Sequence, residues 1–265
     1  MRSPGPIALL GGGEHLGPTI GLDRRLLELT GAKRPTVVIL PQAPSRGQLA
    51  KTVALARNYW ARMGTDVRIA LSGLDPVRAE MAVMEADLAV IPGGHPNKLI
   101  SGLGANPLTD LVISRWLEGM AISGSSAGAM GLFEWRIKLY PPNPLRLLPA
   151  LGLLDGYVAA PHFDRFRAAR WARGTIDALD GLAVLGLDEG TGIVGHNLDF
   201  AVFGEGSATV VDDGATTQYP RGARLPIDLL AGSRDRLAAP IASLTGASEL
   251  ETRSPVLAVN GFNRR

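Results

Sequence analysis

The stretch MAISGSSAGAM, residues 120–130, decides how this chain is read. Met120, Ala121 and Ile122 form a short apolar run suited to a buried strand. Gly124-Ser125-Ser126-Ala127-Gly128 then reads as a sharp turn, and the small and straight-chain residues beyond it suit the start of a helix. This is the G-x-S-x-G pattern of a nucleophile elbow. Its small residues are needed because the turn is cramped. The turn holds the serine oxygen above the edge of a sheet, close to a helix N-terminus. The next N–H, that of Ala127, is then available to a developing oxyanion. Taken alone the pattern is only moderately specific, since Gly- and Ser-rich strand-to-helix turns are common as plain structure.

Outward from this turn, strands and helices alternate. Residues 6–10 read as a strand ending in Gly11-Gly12-Gly13, and 22–30 as a helix stopped by Gly31. A β-branched run at 36–40 closes on Pro41, a helix is expected over 48–63 and a strand over 66–71. A second helix follows at 77–85, a strand at 88–91 runs into Pro92-Gly93-Gly94, and a helix at 108–118 leads back to the opening stretch. Spacing of this kind allows right-handed βαβ crossovers. It implies an α/β fold: a mostly parallel sheet with helices on both faces. Ligands in such sheets bind at the carboxyl ends of the strands, where the turns after Leu10, Ile91 and Ile122 fall. Residues 135–149 are proline-rich and read as an excursion. Beyond residue 180, short strands at 182–187, 192–195, 200–203 and 208–211 read as a β-rich extension of the same sheet. No linker or repeat interrupts the chain, so one domain is expected over 1–265, with its core at about 6–215 and a C-terminal extension at 216–265.

Composition removes several function classes. The chain has 265 residues, 46 % hydrophobic and 20 % charged, enough to bury a core without staples. It has no cysteine, which excludes a disulfide scaffold, a thiolate metal site and a cysteine nucleophile. The 27 Lys and Arg against 25 Asp and Glu form no dense basic run, so no nucleic-acid partner is expected. No apolar run reaches the roughly 18 residues of a membrane span and no leader pattern opens the chain. The expectation is a soluble, cytoplasmic protein. No cofactor or metal is expected.

A serine nucleophile needs a base and an acid to orient it. The histidines are His15, His95, His162 and His196. His15 and His95 follow glycine-rich turns at strand ends, His162 sits in Pro161-His162-Phe163 before an arginine-rich stretch, and His196 lies in a Gly-His-Asn turn. Asp188 and Glu189 place two carboxylates at a strand end. A glycine pair at Gly93-Gly94 lets the backbone approach a ligand closely and offers a second oxyanion donor opposite Ala127. The turn at Gly11–Glu14 lacks the glycine spacing of a dinucleotide fingerprint.

Taken together, GSSAGA at 124–129, PHF at 161–163 and GLDEGTGIV at 186–194 resemble the peptidase S51 family. ALLGGGE at 8–14 and IPGG at 91–94 are similar to it as well. That family contains cyanophycinases and α-aspartyl dipeptidases and has a class I glutamine amidotransferase-like fold, a flavodoxin-like three-layer arrangement. The resemblance covers about residues 6–215. It implies Ser126 as nucleophile, His162 as general base, Glu189 as orienting acid, and Gly94 and Ala127 as the oxyanion hole. It points to His95, Asn97, Arg165 and Arg167 as substrate contacts. It further implies a serine peptidase acting on an Asp-containing peptide or isopeptide bond, and allows a homodimer. Two motifs depart from the family. Cyanophycinases carry Gly-Gly-Asp-Gln where this chain has Gly93-Gly94-His95-Pro96. Their arginines after the HF pair appear here one position early, at Arg165, Arg167 and Arg170, and one residue on a helix turns a side chain by about 100°.

Two other readings compete. An α/β-hydrolase esterase would use Ser126, Asp188 and His196 in that order, leaving the motifs around His162 and Glu189 without a role. A binding module that keeps the fold but not the chemistry would account for the altered 93–96 loop.

Overall fold

The computed structural model describes residues 3–230, apart from residues 72, 105–106, 139–145, 167–178, 180 and 214. Its elements are β1 (Ile7–Leu10), α1 (Ile20–Thr30), β2 (Thr36–Ile39), α2 (Arg46–Arg62), β3 (Asp66–Ile69), α3 (Pro76–Met84), β4 (Leu88–Ile91), α4 (Pro96–Leu103), α5 (Pro107–Leu117), β5 (Ala121–Ser125) and α6 (Ala127–Leu132). There follow β6 (Trp135–Lys138), β7 (Arg146–Pro149), β8 (Tyr157–Pro161), β9 (Ala183–Leu187), β10 (Thr191–His196), β11 (Asp199–Gly204), β12 (Ser207–Asp212), β13 (Ala215–Pro220) and β14 (Arg224–Leu225).

The main sheet has eight strands in the order β14-β11-β10-β1-β5-β4-β2-β3. From β1 through β5, β4 and β2 to β3 every pairing is parallel, whereas β10, β11 and β14 add antiparallel strands on the other side of β1. Strands β1, β4 and β5 are buried along their whole length, which is why they are continuous apolar or small-residue runs rather than alternating ones. One face packs Ala8, Leu10, Val37 and Ile39 against Leu22 and Leu26 of α1 and Ala56 and Trp60 of α2. The other packs Leu9, Val38, Ala89 and Ile122 against residues of α3 to α6. The expected α/β architecture, with helices on both faces, is therefore present. Two buried indoles tie distant segments to it: Trp116 Nε1–H donates to the Gly5 carbonyl at 2.9 Å and Trp60 Nε1–H to His15 Nε2 at 3.2 Å. A buried indole needs such a partner because its N–H would otherwise be left unsatisfied.

The structure corrects three expectations. The later strands do not all extend one sheet: β10 and β11 join the main sheet, but β9 and β12 form a second one, ordered β13-β12-β9-β8, in which β8 and β9 run parallel. Local turn chemistry marks each strand but does not say which neighbour it pairs with. The 135–149 excursion begins and ends in the paired strands β6 and β7. Helix α4, unread in the sequence, starts at Pro96, with the His95 side chain accepting from the Asn97 N–H as its cap. Proline at the first helical position with a capping side chain before it is a start signal that was legible. Residues 231–265, most of the expected extension, and Arg167 and Arg170 lie outside the described residues. Among the described residues no helix is long and apolar enough to cross a membrane.

Candidate active site

The turn between β5 and α6 brings its glycines into direct backbone contact. A Cβ on Gly124 would lie 2.7 Å from the Gly128 carbonyl, and one on Gly128 would lie 2.1 Å from the Ile91 carbonyl oxygen. The motif therefore packs an elbow onto the end of β4. Between these glycines Ser126 adopts φ +49°, a sparsely populated conformation for a residue with a side chain. Strain of this kind, of order 1–3 kcal/mol, persists where the surrounding structure overdetermines it. Here the Ser126 N–H is held by the Leu10 carbonyl at 2.9 Å.

Ser126 Oγ lies 2.9 Å from His162 Nε2, and His162 Nδ1 is hydrogen-bonded to Glu189 Oε2. All three side chains are partly exposed. His162 enters from the end of β8 with φ +54°, and Phe163 behind it is buried. Glu189 enters from the turn between β9 and β10, so the second sheet contributes two of the three groups. Asp188 points elsewhere: its Oδ2 accepts from the Ser207 N–H at 2.8 Å, and burial pushes its carboxyl above the ordinary range. Asp164 steadies the turn by accepting from the Glu189 N–H at 2.9 Å.

The glycine-rich turn after β1 is the hub of this assembly. Three successive carbonyls each hold one arm of the site. Leu10 accepts from the Ser126 N–H, Gly11 from the His162 N–H at 2.9 Å, and Gly12 from the Gly190 N–H, next to Glu189, at 3.1 Å. The turn passes so close that a Cβ on Gly12 would lie 2.4 Å from His162 Cε1 and 2.8 Å from Glu189 Oε2. The run of glycines in the sequence thus lets the turn pass directly against the histidine and the carboxylate.

Beside Ser126 the 93–95 loop is pinned on both sides. The Gly93 N–H donates to Glu14 Oε1 at 2.8 Å, and the His95 N–H to the Ala43 carbonyl at 2.8 Å. The Gly94 N–H between them has no acceptor among the described residues and the residue is exposed. Ala127 opens α6, so its N–H has no intrahelical acceptor either.

The other expected residues are placed as follows. His95 caps α4. Asn97 accepts from Arg136 Nη2 at 2.7 Å through its Oδ1. Arg165 Nη2 lies 3.6 Å from Glu189 Oε2 with 63 % of its side chain exposed. His15 is buried beside Tyr59 and Trp60, and burial lowers its pKa. His196 lies at the opposite end of the sheet, where β10 meets the start of β1, with Nε2 2.6 Å from the Pro4 carbonyl oxygen. The Ser126–Asp188–His196 arrangement is thus not brought together. The sequence reading missed Glu14, Gly12 and Asp164 as parts of the site. Their partners are remote in the chain, and only the position of Gly12 and Glu14 at a strand end hinted at them.

Comparison with known proteins identifies the family and the fold. The family model for peptidase family S51 matches residues 7–202. The uncharacterized peptidase YgaJ of Bacillus subtilis (strain 168) is 30 % identical over 162 residues, which cover 60 % of this chain and 68 % of that protein. The crystal structure of a peptidase from an acI-B1 Actinobacterium matches with a TM-score of 0.73 at 23 % identity, over 84 % of this chain and 97 % of the other. A Listeria monocytogenes EGD-e protein whose crystal structure is titled "Putative Peptidase E Protein" matches with a TM-score of 0.52 at 13 % identity, over 82 % of this chain and 99 % of that one. The two structures speak to the fold. The family match, which spans most of the chain, speaks to the chemistry: this chain belongs to peptidase family S51 and is a hydrolase of the serine peptidase type.

Proposed function

We propose that this peptidase cleaves a peptide or isopeptide bond of an aspartyl residue through an acyl-enzyme, with Ser126, His162 and Glu189 as its catalytic residues. The observation that carries the reading is the continuous relay from Ser126 Oγ to His162 Nε2, 2.9 Å, and from His162 Nδ1 to Glu189. With the imidazole proton on Nδ1 and donated to Glu189, Nε2 is free to accept the serine proton. Ser126 Oγ bonds to the scissile carbonyl carbon as that proton moves to Nε2, and the Glu189 carboxylate stabilises the imidazolium. The carbonyl oxygen becomes an oxyanion between the Gly94 and Ala127 N–H groups. His162 then gives its proton to the leaving amine as the C–N bond breaks. Water attacks the ester in turn, with His162 again as base, and releases the acid and free Ser126.

The aspartyl class of substrate rests on the resemblance to cyanophycinases and α-aspartyl dipeptidases. It is supported by the exposed guanidinium of Arg165, 3.6 Å from Glu189 Oε2. Arg165 is mostly exposed, so its hold on a substrate carboxylate depends on desolvation when substrate covers it.

A fluorophosphonate probe tests the nucleophile directly. Wild type should label, and Ser126→Ala and His162→Ala should not. Against α-aspartyl and β-aspartyl peptides, Ser126→Ala should lower kcat by roughly 10⁶-fold, the scale on which a triad nucleophile counts. Labelling or turnover that survives Ser126→Ala would refute the assignment.

A further inference from the structure

Glu14 has no part in the relay just described, yet its carboxylate lies within the site. Its Oε1 accepts from the Gly93 N–H at 2.8 Å, and its Oε2 accepts from the Ser125 hydroxyl at 2.7 Å. Gly93 precedes one oxyanion donor, Gly94. Ser125 is the last residue of β5, immediately before the nucleophile, and is 3 % exposed. One side chain therefore bridges the loop that carries one half of the oxyanion hole and the strand end that carries the other half. The gap it spans is narrow: a Cβ on Gly93 would lie 3.0 Å from Glu14 Oε1 and 3.2 Å from the Ser126 Cβ.

The loop needs such a restraint. Gly93 and Gly94 are the two most conformationally free residues the chain could place there, and Gly94 holds φ +149°, a conformation open in practice to glycine alone. Fixing a residue's backbone costs conformational entropy, most of all for glycine. An oxyanion hole is effective only if its donors are already aimed before charge develops. The Ala43 carbonyl fixes the far side of Gly94 through the His95 N–H. On the near side, the bond from the Gly93 N–H goes to Glu14.

We infer that Glu14 is a positioning residue of the oxyanion hole, holding the Gly93–Gly94 peptide so that the Gly94 N–H stays aimed at the carbonyl oxygen attacked by Ser126. It acts through the loop and does not touch the substrate. The inference rests on the proposed Ser126 chemistry and adds to it a residue outside the triad. Hydrogen bonding is the working property. A glutamine at this position keeps an acceptor for the Gly93 N–H, and its amide can donate to the Ser125 oxygen.

The experiment measures fluorophosphonate labelling over a range of probe concentrations, separating the maximal inactivation rate from the probe's apparent affinity. Thermal melting of each variant serves as a fold check. Glu14→Ala should lower the maximal rate by about 10²-fold, the lower end of what loss of one oxyanion donor costs, and leave apparent affinity within threefold. Glu14→Gln should restore the rate to within about threefold of wild type. Where the alanine variant does not fold, Glu14→Met fills the same space without accepting a hydrogen bond and should show the same loss of rate. Maximal rates in Glu14→Ala and Glu14→Met that match wild type overturn the inference. So does a glutamine variant as slow as the alanine one, or a loss confined to apparent affinity. Ser126→Ala separates the two claims. Labelling that persists in it overturns the triad and this inference together. Labelling lost in Ser126→Ala but unchanged in Glu14→Ala overturns the inference alone.

Discussion

Replacing Gly12 with alanine adds one methyl group and should disable the site without replacing any residue of the proposed relay. The new Cβ would lie 2.4 Å from His162 Cε1 and 2.8 Å from both His162 Nδ1 and Glu189 Oε2. Carbon atoms in contact rest about 3.5–4.0 Å apart, so the imidazole must recede by about 1 Å or more. Its backbone cannot follow easily, because the His162 N–H is held by the Gly11 carbonyl at 2.9 Å and Phe163 is buried behind it. The movement falls on the side chain, and the 2.9 Å contact with Ser126 Oγ opens. A misplacement of about 1 Å is worth roughly 10²-fold in rate. Gly12 also sits at φ +142°, which costs a residue with a side chain about 1–3 kcal/mol. At about 2–4 °C per kcal/mol for a chain of this size, the melting temperature should fall by about 2–12 °C while the fold is kept. Gly31→Ala is the control. Its φ is +72° and nothing lies within 4 Å of the added Cβ, so it bears a backbone cost with no clash. Labelling by a fluorophosphonate probe, with melting followed by circular dichroism, compares the two. The reasoning is refuted if Gly12→Ala labels within threefold of wild type, or if Gly31→Ala is slowed as much.

Two further outcomes follow from the same geometry. Asp164→Ala removes the acceptor for the Glu189 N–H and should slow labelling about three- to tenfold, in keeping with about 0.5–1.5 kcal/mol for one hydrogen bond, whereas Asp164→Asn should stay close to wild type. Equal rates in wild type and Asp164→Ala would show that the turn holds Glu189 without it. Asp23 is buried under Tyr59, and burial pushes its carboxyl up to about 7. The folded protein thus keeps a proton that the unfolded chain releases near pH 4. The resulting stabilisation is complete below that pH and is lost as pH rises through about 7. At about 1.4 kcal/mol per unit the loss is a few kcal/mol. Melting curves from pH 4 to 8 should therefore show wild type losing stability relative to Asp23→Asn as pH rises, and parallel curves would refute the assignment.

Much of the site was legible because its parts are local. The elbow at Gly124–Gly128 announces itself through small residues that a tight strand-to-helix turn requires. The apolar runs at 36–40 and 88–91 declare buried strands by composition alone. The choice of His162 was not local. Among the histidines, residue chemistry left alternatives open and family resemblance pointed to His162, because a base is defined by what it faces. His15, equally placed after a glycine-rich turn, is instead packed into an aromatic cluster where burial favours its neutral form. The same holds for the strands after residue 180. Their alternation and turns mark them as strands, but nothing in β9 or β10 states that one joins the second sheet and the other the first.

The sequence by itself determined the parallel α/β core, the elbow that presents Ser126, and the short set of histidines and carboxylates from which a relay could be drawn. Each of these follows from interactions within a few residues: periodicity, turn sterics and side-chain chemistry. The tertiary structure alone decided which members of that set meet. Asp188 and Glu189 are neighbours in the chain, yet one holds the Ser207 N–H and the other His162. Glu14 reaches Gly93 and Ser125 across 79 and 111 residues. Three carbonyls of one turn gather the arms carrying Ser126, His162 and Glu189. Such meetings depend on how two sheets dock at the end of β1, and no local pattern in the chain encodes that docking.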